Sequence, residues 1–159
     1  MAEPIKVAVD LDSLPKPTDL RELFEQPGPI ELEVGIGKGG FLLEQARLRP
    51  EANFFGIEWA SEFYRYAVDR MERWHVSNVR LMRTDASYFI REVCPRSSLH
   101  VMHVYHPDPW PKRRHHKRRL FQPRFVDAAA MCLVPGGVLR VQTDHAEYFE
   151  WLCPLLLGH

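Results

Sequence analysis

A chain of 159 residues fits one domain with a single hydrophobic core. Its 45% hydrophobic and 26% charged residues are ordinary for a globular protein, and no apolar run approaches the length of a membrane span. The formal charge is zero, from 21 Lys and Arg against 21 Asp and Glu, but six of the cations (Lys112, Arg113, Arg114, Lys117, Arg118 and Arg119) crowd into one segment, leaving the rest of the chain acidic. A polyanion would dock on such a segment.

The first 29 residues are rich in proline (Pro4, Pro15, Pro17, Pro27, Pro29) and read as an irregular arm, with a short helix over Asp19 to Glu25 capped by Thr18. The N-terminus lacks a basic start followed by an apolar run, so no signal peptide is expected. Strands and helices then alternate. Strands are predicted over 29–35, 53–58, 78–85, 98–107 and 138–144. Helices are predicted over 39–50, 61–76, 86–94 and 122–135, with another beginning at His145. In the 61–76 helix, Phe63, Tyr66, Ala67, Arg70, Met71 and Trp74 recur at steps of three and four, and a turn is expected at Gly136-Gly137. This alternation predicts an α/β fold, a doubly wound and mostly parallel sheet of five strands. No internal repeat is present.

Ligands of such sheets sit off the carboxyl ends of the strands. Those ends carry Glu33, Gly35, Glu58, Asp85, the 106–110 loop and Asp144. "ELEVGIGKGG" sets Gly35, Gly37 and Gly40 in a GxGxxG frame between a strand and a helix, a nucleotide-site pattern that a plain strand-to-helix turn also satisfies. No GK[ST] follows, which excludes a Walker phosphate loop. Glu33 would repel a dinucleotide pyrophosphate but attract the amino and sulfonium groups of S-adenosylmethionine. Glu58 suits ribose hydroxyls and Asp85 an adenine amino group, although helix capping or a surface position would also account for either acid.

"HPDPWPKRRHHKRRL", residues 106–120, places Asp108 between Pro107 and Pro109, beside Trp110. Prolines stiffen this loop, and an acid with an indole suits a flat heterocycle such as guanine. The charge run behind it would engage backbone phosphates; a solvated face or a nuclear address would look the same. His103, His106, His115 and His116 have no acid or cysteine at a spacing that completes a metal site, so no metal is expected. Cys94, Cys132 and Cys153 are odd in number and far apart, which argues against a disulfide framework and makes a reducing cytoplasm the expected compartment.

"LEVGIGKGGF", "GIEWASEF", "RTDA", "HPDPWPKRRHHKRRL" and "VQTDHAEYF" occur in the order found in the tRNA guanine-N(7)-methyltransferases, which this chain resembles over roughly residues 30–150. The PDPWPK segment with its basic tail is the most specific part, and His106 departs from the apolar residue common before it. The resemblance implies a Rossmann-like class I methyltransferase domain over 30–159. It also implies S-adenosylmethionine as cofactor, held by Glu33, Gly35, Gly37, Glu58, Asp85, Ala86 and Asp108. Asp108 would be the active-site acid. Lys112 and Asp144 would contact a tRNA substrate, with Arg113, Arg114, Lys117 and Arg118 on its phosphates. The family sheet continues with two further strands carrying a T-x-x-E motif, and the sequence ends before them, so the resemblance implies a shortened chain. Copy number is left open. Two rival readings remain. The PDPW box is similar to the [DNS]PP[YFW] box of exocyclic-amine methyltransferases, though it lacks the second proline. The shortened chain would also suit an RNA-binding remnant without turnover.

Overall fold

Short runs rich in Val, Ile, Leu and Phe pair side by side in a computed structural model that describes residues 6–158. The strands are β1 (Ala8–Val9), β2 (Ile30–Val34), β3 (Asn53–Glu58), β4 (Val79–Arg83), β5 (Leu99–Tyr105) and β6 (Leu133–Gln142). The helices are α1 (Gly40–Leu48), α2 (Ser61–Arg73), α3 (Ala86–Tyr88, continued by a π turn over Phe89–Val93), α4 (Pro123–Cys132) and α5 (Ala146–Leu157). All pairings are parallel, in the order β1-β4-β3-β2-β5-β6. The strand order reverses at β2, and a crevice opens there between β2 and β5.

Alternation along each strand divides the core. In β3, Phe54 joins Leu42, Leu43, Ala46, Ala67 and Met71 beneath α1 and α2, whereas Phe55 and Ile57 join Phe89, Phe125, Ala129, Tyr148 and Leu152 on the opposite face. Gly56 lies beneath α1, where an added Cβ would come within 2.5 Å of Leu42 Cδ1. The helix therefore packs close to the sheet just before the strand end that bears Glu58.

Several local expectations are corrected. The sheet has six strands among the described residues, because Ala8–Val9 of the N-terminal arm pair with β4; Pro4 lies outside those residues. The arm's helix is a 3-10 turn over Leu20–Leu23, capped by Asp19, whose side chain accepts from the Arg21 N–H. Thr18 is instead buried and donates its hydroxyl hydrogen bond to the Pro15 carbonyl. The helix expected over 61–76 forms over Ser61–Arg73, and of its recurring positions Ala67 and Met71 are buried. Phe63, Tyr66 and Trp74 are exposed, with Tyr66 beneath Lys38 and Arg70 and Trp74 beneath Arg47. Gly136-Gly137 form a bulge within the last strand rather than a turn before it: Leu133 pairs with Leu99 and Val138 with Val101. This strand is an edge, with Val138, Arg140 and Gln142 exposed.

Candidate active site

The carboxyl ends of β2 to β5 surround a cleft of about 890 Å³. Gly35, Gly37, Glu58, Asp85, Ala86, Asp108, Lys117 and Arg118 all line it, so residues separated by more than eighty positions meet on one wall. The glycine loop works as its composition requires. Gly35 and Gly37 have φ of 76° and 53°, and an added Cβ at either would meet nothing within 4 Å, which leaves open space over the loop. Gly39 (φ 71°) supplies the third left-handed residue; Gly40 is already helical.

Glu58 ties this loop to the next helix. Its Oε2 accepts from the Gly37 N–H and its Oε1 from the Ala60 N–H, both at 2.9 Å. Asp85 caps α3, its Oδ1 accepting from the Tyr88 N–H at 2.8 Å. Both acids thus do structural work while keeping lone pairs for a ligand. Glu33 lies below the wall rather than on it. It is buried, its Oε2 has no hydrogen-bond partner, and burial together with the nearby charge of Glu58 pushes its carboxyl up to about 8. A buried carboxyl oxygen without a partner is costly unless a cation or donor comes to it.

The 106–110 loop is rigid for more reasons than its prolines. His106 and Trp110 have φ of 50° and 45°, unusual for residues with a side chain, and they bracket Pro107-Asp108-Pro109. The His106 N–H donates to the Gln142 carbonyl, and its Nδ1 lies 3.6 Å from Asp144 Oδ1. Asp144 is exposed beside the cleft mouth and does not line it. The basic run forms a 3-10 helix over Arg113–Arg118 whose cations divide by role. Lys112, Arg113 and Arg114 face solvent away from the wall. Arg118 lies 5.1 Å over the Trp110 ring and His115 meets that ring edge-on, so the indole is packed by its own segment. Arg119, one of the six cations of the run, is turned inward and only 2% exposed. Its Nε donates to the Pro109 carbonyl at 2.8 Å and its Nη2 to Glu147 Oε2 at 2.5 Å.

The fold adds lining residues that had no expected role in the site. Trp59 and Phe63, exposed at the start of α2, line the cleft beside Glu58. Arg91 and Arg124 line it as well. Trp59 and Phe63 fall within "GIEWASEF", and Trp59 directly follows the second strand-end acid; the two arginines carried no signal.

Residues 27–159 match a family described as putative methyltransferase. The tRNA (guanine-N(7)-)-methyltransferase of Alkalilimnicola ehrlichii is 43% identical over 141 residues, covering 89% of this chain and 60% of that protein. The enzyme of the same name from Halorhodospira halophila is 40% identical over 138 residues, covering 87% and 60%. The chain thus spans about three fifths of the length of these relatives. Among solved structures, a precorrin-6y C5,15-methyltransferase from Geobacter metallireducens superposes with a TM-score of 0.65 at 16% identity, covering 84% of this chain and 63% of that one, a likeness of fold. With the match running from the start of β2 through α5, the chain belongs to the putative methyltransferase family.

Proposed function

We propose that the protein binds S-adenosylmethionine in this cleft and methylates the 7-position nitrogen of a guanosine in tRNA, in the variable loop. The observation that carries the reading is the gathering of Gly35, Gly37, Glu58, Asp85 and Asp108 around one cleft that Lys117 and Arg118 also line. Relatives at 38–43% identity that carry the name tRNA (guanine-N(7)-)-methyltransferase support it. The residues fit the cofactor: the space over Gly35 and Gly37 admits a ligand, and the unpartnered Glu33 oxygen suits a cationic group. Glu58 would hold ribose hydroxyls and Asp85, beside Ala86, the adenine amino group. When bound, S-adenosylmethionine supplies the electrophilic methyl carbon.

The guanine 7-position nitrogen carries a lone pair and no proton at neutral pH, so the chain need not supply a general base. Its contribution is alignment and electrostatics. Asp108 faces the acceptor ring, orients it through its N–H edge and offsets the positive charge that develops there. Lys117 and Arg118 at the wall, with Lys112, Arg113 and Arg114 outside it, hold phosphates of the tRNA, while Asp144 contacts the nucleoside from the mouth. The target base must leave its stack to enter.

The test is transfer of a labelled methyl group to unmodified tRNA, with the product nucleoside identified by mass spectrometry. Labelled 7-methylguanosine is expected, with Asp108→Ala slowing transfer about a hundredfold. Undiminished transfer by that variant, or methyladenosine as the only product, overturns the reading.

A further inference from the structure

A second hollow, of about 930 Å³, adjoins the cleft and shares Arg91 with it. Two stretches distant in sequence bring cations there: the N-terminal arm supplies Lys16, and the π turn with the loop that follows it supplies Arg91 and Arg96. All three side chains are exposed. Tyr88, 37% exposed, forms part of the same wall, with the Lys16 ammonium 5.8 Å from its ring centre. Tyr88 lies three residues beyond Asp85 and its N–H is held by that carboxylate, so the hollow begins one helical turn from the cleft wall. The one acid here, Glu92, pairs with Arg91 at 3.1 Å; both groups are about half exposed, and such a pair yields readily to a phosphate. The cleft itself is lined by Lys117, Arg118 and Arg124 as well as by Arg91. Cations therefore line both the cleft and the hollow, which meet at Arg91, and the Tyr88 ring forms part of the hollow's wall.

Cations spaced along a groove, with an aromatic face among them, suit a single-stranded polynucleotide: the cations follow the phosphates and the ring stacks on a base. We propose that Lys16, Tyr88, Arg91 and Arg96 form a docking track for the RNA strand flanking the target nucleotide. This rests on the tRNA reading above and adds to it the path by which the strand leaves the cleft. No phosphate contact at Lys16 or Arg96 is needed for the chemistry itself, so the track acts on affinity rather than on the transfer step.

The experiment measures binding of fluorescently labelled, unmodified tRNA to the full chain at several salt concentrations, together with methyl transfer at saturating tRNA. The doubly reversed variant Lys16→Glu/Arg96→Glu is compared with wild type and with Arg47→Glu/Arg73→Glu. The latter carries the same charge change on α1 and α2, which cover the opposite face of the sheet. Thermal melts establish that both fold. The track predicts that Lys16→Glu/Arg96→Glu weakens tRNA binding about tenfold and lowers the salt slope by roughly 1.4, about 0.7 per lost phosphate contact, with transfer at saturation within about twofold of wild type. The remote variant should bind within about twofold of wild type. Equal loss in the two variants, or no loss in the first, overturns the track while leaving the methyltransferase reading intact. Wild-type binding to tRNA without any methyl transfer would sink that reading alone. Failure of the wild-type chain to bind tRNA, or preference for an acidic protein or lipid surface over it, overturns both.

Discussion

The guanidinium of Arg119 grips the carbonyl of Pro109 through Nε at 2.8 Å, fixing from below the loop that presents Asp108. The same group reaches Glu147 of α5 and, through Nη2 at 3.1 Å, His116, and it lies over the rings of Tyr148 and Trp151. Lysine would keep the charge but cannot span these acceptors or stack in the same plane. Arg119→Lys should slow methyl transfer about tenfold by loosening the loop, with cofactor affinity within about twofold of wild type. Single-turnover rates and equilibrium binding of S-adenosylmethionine separate the two quantities. An equal loss in both would assign Arg119 to general stability instead.

Glu33 gives the protein a pH signature. Its folded value of about 8 lies above the ordinary 4.5, so between those limits the folded chain keeps a proton that the unfolded chain releases. Stability contributed by this group is therefore whole below pH 4.5 and is lost as pH rises through 8. Glu33→Gln should flatten that decline in thermal midpoint. A bound cation favours the ionised form, so binding of S-adenosylmethionine should take up base: at pH 7 it releases a proton from the wild type and none from Glu33→Gln. Calorimetry in buffers of different ionisation enthalpy reads this directly. Equal proton release from both proteins would remove Glu33 from the cofactor's surroundings.

Glu31, two residues earlier on the same strand face, titrates the other way. Burial alone would raise its carboxyl, but hydrogen bonds from His103 and Arg49 outweigh that effect and hold it at about 2. Its contribution to stability is present above pH 4.5 and is lost as pH falls through 2. Glu31→Gln should lower the melting temperature at pH 7 and narrow the gap between pH 7 and pH 3. A gap as wide as that of the wild type would place the acid sensitivity elsewhere.

Gly56 tests the packing that sets the glycine loop. A Cβ there would meet Leu42 Cδ1 at 2.5 Å, Leu81 Cδ2 at 2.7 Å and Ile36 Cγ2 at 2.8 Å, from three different segments. Gly56→Ala should cost about 1–3 kcal/mol in chemical denaturation and weaken cofactor binding as α1 is pushed outward. Wild-type stability would mean that α1 shifts freely.

The parallel sheet was legible because β2 to β5 are short apolar runs broken by helices, and Glu58 and Asp85 were legible because a strand end is a position as well as a residue type. What escaped has physical causes. Ala8–Val9 are too few for a period to register, and they become a strand only because β4 offers an edge. The three- and four-residue recurrence on α2 does not distinguish buried Ala67 and Met71 from Tyr66 and Trp74, which lie beneath cations of their own and neighbouring elements. In the basic run all six cations looked alike, and only the fold distinguishes exposed Lys112, Arg113 and Arg114 from Arg119, folded beneath the loop. Arg91 and Arg124 needed the helices in place before they could face the cleft.

The two left-handed residues around Pro107-Asp108-Pro109 bear on the tempo of the proposed reaction. Five consecutive positions with so few accessible backbone states leave the loop little room to rearrange when substrate arrives. Movement then falls to the nucleic acid, whose target base must swing out of its stack to meet a fixed carboxylate. Turnover should follow the strength of that stacking: a guanosine in a loosely stacked loop reacts quickly, while the same guanosine locked in a helix waits on its own opening.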